Sequence, residues 1–397
     1  MLDFTSALYL GFRHPSRSLR PWSQLSSGKP AVLGVPAEAT TVARGLQELQ
    51  GCERVTLLPS TLHLFFDLFE MLRNRGVRLY IDAGTYPTVR WGAERAAARG
   101  VSLRKLPHFD PIAARRVIAE DEDARLRPVI VADGFCPACG RSVPLRQYLR
   151  CVEPYDGYVV LDDTQAIGIW GQAPTYHDPF GTGGGGSLRL HAVRSPKIII
   201  GSSLAKGFGV PLAALSGGAR FIDCFEVRSE TRMHASPPSI TALRAAEHAL
   251  ELNRQCGDAV RRRLARLVAR FRVNLHRVRL HSIGGPFPVQ MLALDKAINP
   301  LRLQRSLLVA GVRTLVVRDH DEPKGRLGFV LNASHKCADI DYATTALTGA
   351  GGLSMARPRR RLLIDGTKDD RAPAKSPLEI QAFRKRAVIR DASSVCL

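Results

Sequence analysis

The sequence predicts an α/β protein with a mostly parallel sheet, followed by a smaller α+β region. Two observations carry this. From about residue 42 to residue 200, short apolar runs alternate with segments whose apolar residues recur at helical spacing. After Pro286 the order changes, and strand-like runs at 289–294, 312–317 and 327–331 follow one another more closely. The expected organisation is an N-terminal arm at 1–40, a large domain at 41–280, a small domain at 281–349 and a basic, disordered tail at 350–397.

Each element has a local reason. Pro15, Pro21, Pro30 and Pro36 interrupt any pattern in the arm. Thr61 to Arg73 reads as a helix, because Leu62, Phe65, Phe66, Leu68, Phe69 and Leu72 form a broad apolar stripe. Val77 to Ile81 alternates as a strand does, and Asp82 follows at once. Trp91 to Arg99 is Ala-rich and helical, Val129 to Ala132 reads as a buried strand, and Leu145 to Val152 as a short helix. Strands at 158–161 and 198–200 follow, with Gly183 to Gly186 expected as a flexible loop between them. That glycine run lacks the Lys-Ser/Thr of a P-loop, so it is not a nucleotide cradle. Ser239 to about Arg279 is a long helical stretch with an Arg-rich face expected to be exposed.

Charge and cysteine content narrow the function. The formal net charge is +21, but arginines outnumber lysines 47 to 10 and are mostly scattered, as a GC-rich coding sequence would produce. No helix-turn-helix or RNA-binding signature accompanies them, so nucleic acid is not an expected partner. The positive field instead favours anionic substrates such as phosphates or coenzyme A thioesters. No apolar run reaches membrane-spanning length, and the first residues lack the features of a signal peptide, so a cytoplasmic location is expected. Cys136-Pro137-Ala138-Cys139 is a CxxC without a second pair at zinc-site spacing. It reads as reduced thiols, with a redox pair as the alternative, and no metal is expected.

The chemistry concentrates around Lys206. It lies in the Gly-rich stretch Gly201-Ser202-Ser203-Leu204-Ala205-Lys206-Gly207-Phe208-Gly209, directly after the apolar run 198–200. Asp162-Asp163 ends the apolar run 158–161. A lysine in such a turn can form a Schiff base with a bound aldehyde, while a carboxylate at a neighbouring strand end keeps a pyridine nitrogen protonated. Together they make pyridoxal 5′-phosphate an electron sink. The ordinary alternatives are a surface lysine and a strand-end carboxylate.

The order of motifs resembles that of the α-oxoamine synthases, fold type I pyridoxal phosphate enzymes. Asp3-Phe4-Thr5-Ser6-Ala7-Leu8-Tyr9-Leu10-Gly11 is similar to the family's N-F-S-S-N-D-Y-L-G. Asp162-Asp163-Thr164-Gln165-Ala166-Ile167-Gly168 is similar to D-D-A-H-x-x-G, and Ser203 to Gly209 to T-x-x-K-x-x-G. Arg326-Leu327 through Ala333-Ser334-His335 resembles the closing R-L-R…A-A-H. The resemblance covers about residues 1–348, each motif being weak alone and specific in this order. It implies a mostly parallel seven-stranded sheet, a smaller C-terminal domain and a homodimer with the active site at its interface.

The resemblance also implies roles. Lys206 holds the cofactor and then acts as base at the substrate Cα, and Asp162 pairs with the pyridine nitrogen. Ser203 replaces the phosphate-binding threonine. Ser60-Thr61-Leu62 matches the phosphate turn S-G-F/Y, with Thr61 in place of glycine; a plain N-cap is the alternative for Ser60. Arg318 aligns with the arginine that clamps the amino-acid carboxylate. Tyr86 stands where the family stacks a histidine on the cofactor, and Gln165 replaces the histidine that bonds its phenolate oxygen. Asp133 matches the acidic residue before G-V-F-S. Ser236, and with it His234, falls in the segment that reaches phosphate from the partner subunit.

The implied reaction is condensation of an amino acid with an acyl thioester of coenzyme A or a carrier protein, with loss of CO2, in a specialised pathway. The changes at Tyr86 and Gln165 leave open an aminotransferase or a condensing enzyme that does not decarboxylate. A non-catalytic partner subunit is the third reading, and Lys206 with Asp162 speaks against it.

Overall fold

The computed structural model describes residues 1–121, 125–295, 298–319 and 322–350. In chain order the first elements are β1 (Leu2–Asp3), α1 (Ala37–Gln50), β2 (Arg54–Leu58), α2 (Thr61–Arg73), β3 (Val77–Asp82), α3 (Pro87–Ala98), β4 (Ser102–Leu106), α4 (Pro111–Ala119) and β5 (Arg127–Asp133). There follow β6 (Phe135–Cys136), β7 (Arg141–Ser142), α5 (Leu145–Val152), β8 (Tyr158–Asp162), α6 (Ser187–His191), β9 (Ile198–Ser203), β10 (Ala213–Gly217), α7 (Ala219–Arg228), α8 (Glu230–His234) and α9 (Ile240–Arg277). The chain continues through β11 (His281–Ile283), β12 (Val289–Ala293), α10 (Pro300–Val309), β13 (Val312–Arg313), β14 (Leu315–Asp319), β15 (Glu322–Val330) and α11 (Cys337–Ala350). The basic tail expected beyond this point lies outside the described residues.

Seven strands form the main sheet in the order β2-β10-β9-β8-β5-β3-β4. All neighbours pair in parallel except β10, which is antiparallel to both β2 and β9. The mostly parallel seven-stranded sheet is therefore as expected. Its central strands β5, β8 and β9 are apolar on both faces, as a sheet covered on both sides requires. Pleating sorts the side chains: Leu79, Ile81, Val129, Val131, Val160 and Ile199 join one buried cluster with Phe65 and Phe69 of α2. Tyr80, Ile130, Ala132, Val159, Leu161 and Ile200 join another with Tyr148 and Leu149 of α5.

A second, four-stranded sheet has the order β11-β12-β15-β14 and is antiparallel throughout. The long helix α9 packs against α1 and α11 and leads into it. In the arm, β1 pairs in parallel with β13, Ser16–Ser18 and Ala31–Leu33 form short 3-10 helices, and the last residues already belong to α1.

Two expectations change. Gly183–Gly186 is not a free loop: Gly168 N–H donates to Gly184 O at 2.7 Å, Gly186 N–H to Trp170 O at 2.7 Å, and Asn253 Nδ2 to Gly183 O at 3.0 Å. The α9 arginines are not all exposed either. Arg261 is 1% exposed and donates to Gly168 O, Asn253 Oδ1 and Asp258 Oδ1. This loop and its own helix pair both terminal guanidinium nitrogens, which offsets most of the cost of burying the charge, while Nε is left without a partner.

Candidate active site

The parallel strands point their C-terminal ends to one edge, where open α/β sheets place ligand sites. Asp133, Asp162 and Gly201 lie side by side there, in register on β5, β8 and β9. Leu58, Ala213 and Ser203 form a second row, so Ser60 follows β2 at the same edge.

The turn after β9 presents Lys206. Phe208 N–H and Val210 N–H both return to Leu204 O, at 3.1 and 3.2 Å. Gly207 has no alternative: a Cβ there would lie 2.5 Å from Ile167 O, because this turn presses on the one that follows Asp162-Asp163. The two motifs thus meet backbone to backbone. Thr164 ties them further, donating its N–H to Asp162 Oδ1 at 3.0 Å and accepting Ser203 N–H on Oγ1 at 2.9 Å.

Electrostatics follow from burial. Asp133 and Asp162 are 8% and 6% exposed. Burial pushes both carboxyls up; for Asp133 the neighbouring Asp162 charge pushes further, and the Lys206 charge pulls both back. Burial lowers the pKa of Lys206, against the opposing pull of Asp162 and Asp133. Asp163 faces away into a polar knot, where its carboxylate accepts Ser187 N–H at 2.9 Å and the Ser187 hydroxyl. Burial raises its pKa from 3.8 to about 6.

Tyr86 is the N-terminal boundary of α3 and is 50% exposed, so it is not a core tyrosine. Its N–H donates to Asp133 Oδ1 at 3.0 Å, and its ring centroid lies 5.5 Å from Lys206 Nζ. Gln165 Oε1 accepts the buried Tyr9 hydroxyl at 2.5 Å, which leaves the Gln165 amide nitrogen without a protein partner among the described residues. Ser60 does cap α2: its Oγ accepts His63 N–H at 3.5 Å and lies 2.8 Å from His63 Nδ1. The N–H groups of Thr61 and Leu62 in that first turn stay free of protein partners among the described residues, and the Leu62 side chain is exposed.

Lys206, Asp162, Asp133 and Tyr86 come together, Ser203 ends β9 beside them and Gln165 lies on the turn after β8. Ser236 is exposed beyond α8, as His234 is at its end, and neither bonds to the other site residues. The Arg318 backbone sits in β14 where the pairing with β15 slips between Val317 and Asp319. Thr164 and Tyr9, which brace the site, are not evident from spacing alone; their only signal is membership of the motifs that also carry Asp162 and the N-terminal aromatic run. A cavity of about 630 Å³ lined by Arg75, Arg127, Lys197 and Arg220 lies at the opposite, N-terminal edge and takes no part in this site.

This arrangement is that of a fold type I pyridoxal phosphate enzyme. Residues 37–347 match the family aminotransferase class I and II, and the chain belongs to that family. It is 27% identical to an 8-amino-7-oxononanoate synthase of Dechloromonas aromatica (strain RCB), over 87% of this chain and 89% of that protein. The fold is similar to that of a Sphingomonas wittichii serine palmitoyltransferase, with a TM-score of 0.76, 15% identity and 90% and 88% of the two chains covered. It is also similar to the 8-amino-7-oxononanoate synthase of Francisella tularensis, with a TM-score of 0.68, 15% identity and coverage of 88% and 97%. The α-oxoamine synthase resemblance of the motifs is borne out, and the cofactor is pyridoxal 5′-phosphate. The residues present fit that group: a half-buried lysine beside carboxylates, an exposed aromatic ring near it, an amide nitrogen left open and a helix N-terminus with free N–H groups.

Proposed function

We propose that this enzyme condenses an amino acid with an acyl thioester, releasing CO2 and the free thiol and forming an α-oxoamine. The observation that carries the reading is the half-buried Lys206 ammonium beside Asp162 and Asp133 at the C-terminal edge of the sheet. Pyridoxal 5′-phosphate, when bound, supplies the electron sink for the charge left at the substrate Cα.

The chain does the rest. Asp162 accepts a proton-bearing ring nitrogen, and the adjacent cation favours its charged form over the neutral one that burial alone would favour. The lowered pKa of Lys206 lets its amine, once free, take the proton from the substrate Cα near neutral pH. Tyr86 offers an aromatic face. Gln165, with its oxygen occupied by Tyr9, has its NH2 to donate to an anionic oxygen. Ser203, Ser60 and the first N–H groups of α2 suit a phosphate, and Arg318 suits a carboxylate. Ser236, with His234 beside it, would serve across a homodimer interface. Tyr and Gln in place of two histidines keep the stacking and hydrogen-bonding capacity but add no cationic imidazole, which points to a substrate other than that of the biotin-pathway relatives. Among the described residues no helix is long and apolar enough to cross a membrane, and we place the enzyme in the cytoplasm.

The test is to follow cofactor absorbance and free-thiol release with a panel of amino acids, each with and without acyl-CoA. Thiol release that requires both substrates, together with CO2, is the expected result. Conversion of the cofactor to its amine form without thioester would make the protein an aminotransferase and overturn the proposal.

A further inference from the structure

The fold brings His108 to the CxxC. One ring nitrogen of His108 and the Sγ atoms of Cys136 and Cys139 all lie within 4.8 Å of one another. The nitrogen facing the thiols is Nε2, 3.3 Å from Cys139 Sγ. The other, Nδ1, lies 2.6 Å from Asp82 Oδ1. The Asp82 carboxylate is itself fixed, accepting Phe109 N–H at 2.7 Å, Gly84 N–H at 2.8 Å and the Tyr148 hydroxyl at 3.1 Å.

From this geometry we propose that Cys136, Cys139 and His108 bind one zinc ion, with a solvent molecule as the fourth ligand. Two thiolates and an imidazole are a zinc donor set of borderline softness. Edges of a tetrahedron with such bond lengths are about 3.5 Å, close to the nitrogen–sulfur separation already present. Asp82 holds the Nδ1 proton and so turns the Nε2 lone pair toward the metal, the arrangement that orients metal-bound histidines. Zn²⁺ with two thiolates and a neutral imidazole is uncharged, so the ligand set itself balances the ion. Cys136 is buried, whereas Cys139 and His108 are partly exposed, which leaves the open position facing outward.

The site is separate from the cofactor site although both lie at one sheet edge. Strands β4, β3 and β5 are neighbours, and the loops after β4 and β5 carry His108 and the two cysteines. Tyr80, two residues before Asp82, belongs to the α5-side cluster, whereas Val131 and Val160, two residues before Asp133 and Asp162, belong to the α2 side. Pleating therefore sends Asp82 to one face and the Asp133–Asp162 pair to the other. The metal would staple the β6–β7 hairpin that begins two residues after Asp133. That hairpin also carries the second sheet's loops: Phe135 lies 4.1 Å from Phe287, Ala138 O accepts Arg326 Nη1 at 3.4 Å, and a Cβ on Gly140 would lie 2.7 Å from Gly284 Cα. A zinc ion there would fix this junction while its solvent position stays open.

The experiment uses the full chain loaded with cofactor and purified under reducing conditions. Elemental analysis should find about one zinc per chain. Replacing zinc with Co²⁺ should produce the near-ultraviolet thiolate-to-cobalt band. The pair Cys136→Ser/Cys139→Ser should lose both signals, and Cys256→Ser, an exposed cysteine elsewhere, should keep them. Asp82→Asn retains all three ligands and should weaken zinc binding about 10- to 100-fold, measured by competition with a chelator. The wild-type spectrum needs no variant to fold. Reduced wild-type protein that takes up neither Zn²⁺ nor Co²⁺ would overturn the proposal. So would a Cys136–Cys139 disulfide in metal-free protein as the only state isolated, which would make the pair a redox couple.

Discussion

Asp162→Asn is the sharpest test of the cofactor site because it removes a charge and little else. The substitution keeps the side-chain oxygen that accepts Thr164 N–H at 3.0 Å, so the turn after β8 should hold. What changes is the electrostatics. Contacting opposite charges at an effective dielectric constant of about 20 attract by about 4 kcal/mol. Losing one partner of a buried charge pair typically costs about 2–5 kcal/mol. If that cost falls on the protonated ring bound in the transition state, turnover per active site should drop about thirtyfold to several thousandfold. Lys206 keeps Asp133 as a neighbour, and Asp133 loses the Asp162 repulsion that pushes its pKa up, so partial compensation favours the lower half of that range. The assay is thioester-dependent thiol release under saturating substrates, with cofactor affinity measured by dialysis and folding by thermal unfolding. Activity within about threefold of wild type, with normal folding, would refute the assignment of Asp162.

Other outcomes follow from the same geometry. Lys206→Ala should leave the cofactor reversibly bound and abolish its reductive fixation by borohydride, with turnover reduced by more than about a thousandfold; peptide mapping locates the modified residue. Gly134→Ala places a Cβ against Asp163 Oδ1 and Ser187 Oγ, so it should cost about 1–3 kcal/mol in chemical denaturation and lower activity through the adjacent Asp133. Asp163 binds its proton more tightly in the folded state, at about 6 against 3.8, so its contribution to stability falls as pH rises from about 4 to about 6 and is flat above. The wild-type minus Asp163→Asn stability difference should therefore shift against wild type by about 2.4 kcal/mol between pH 4 and pH 7, measured by urea unfolding.

The sequence shows some elements to the residue and hides others, for physical reasons. Thr61–Arg73 and Leu145–Val152 are helices over the span their apolar periodicity marks. The helix α1 starts at Ala37, earlier than the pattern from residue 42, because its first turn is Ala-Glu-Ala-Thr and carries little apolar signal. The edge strand β4 reads Ser-Leu-Arg-Lys-Leu, polar enough for its exposed position to mask it. Nothing local tells that β10 runs antiparallel or that β1 pairs with β13, since both depend on partners far along the chain. The site divides in the same way. Lys206 and Asp162 stand out because their chemistry needs a short run of small residues and a strand end. His108 does not, because 28 residues separate it from Cys136 and only the adjacency of β4, β3 and β5 brings them together.

That contrast bears on how the two ends of the Asp133 loop work together. Asp133 closes a row with Asp162 and also accepts the N–H of Tyr86, so its position sets both the charge beside Lys206 and the start of the helix that presents the aromatic ring. Burial and the Asp162 charge both push Asp133 toward its neutral form. A neutral carboxyl there lets a single negative charge, that of Asp162, face a single cation. The loop that follows Asp133 is held on one side by Asp163 and Ser187, against which Gly134 leaves no room for a side chain, and on the other by the cysteine–histidine cluster. Rigidity on both sides keeps Asp133 buried, and burial is the largest influence that pushes its pKa up.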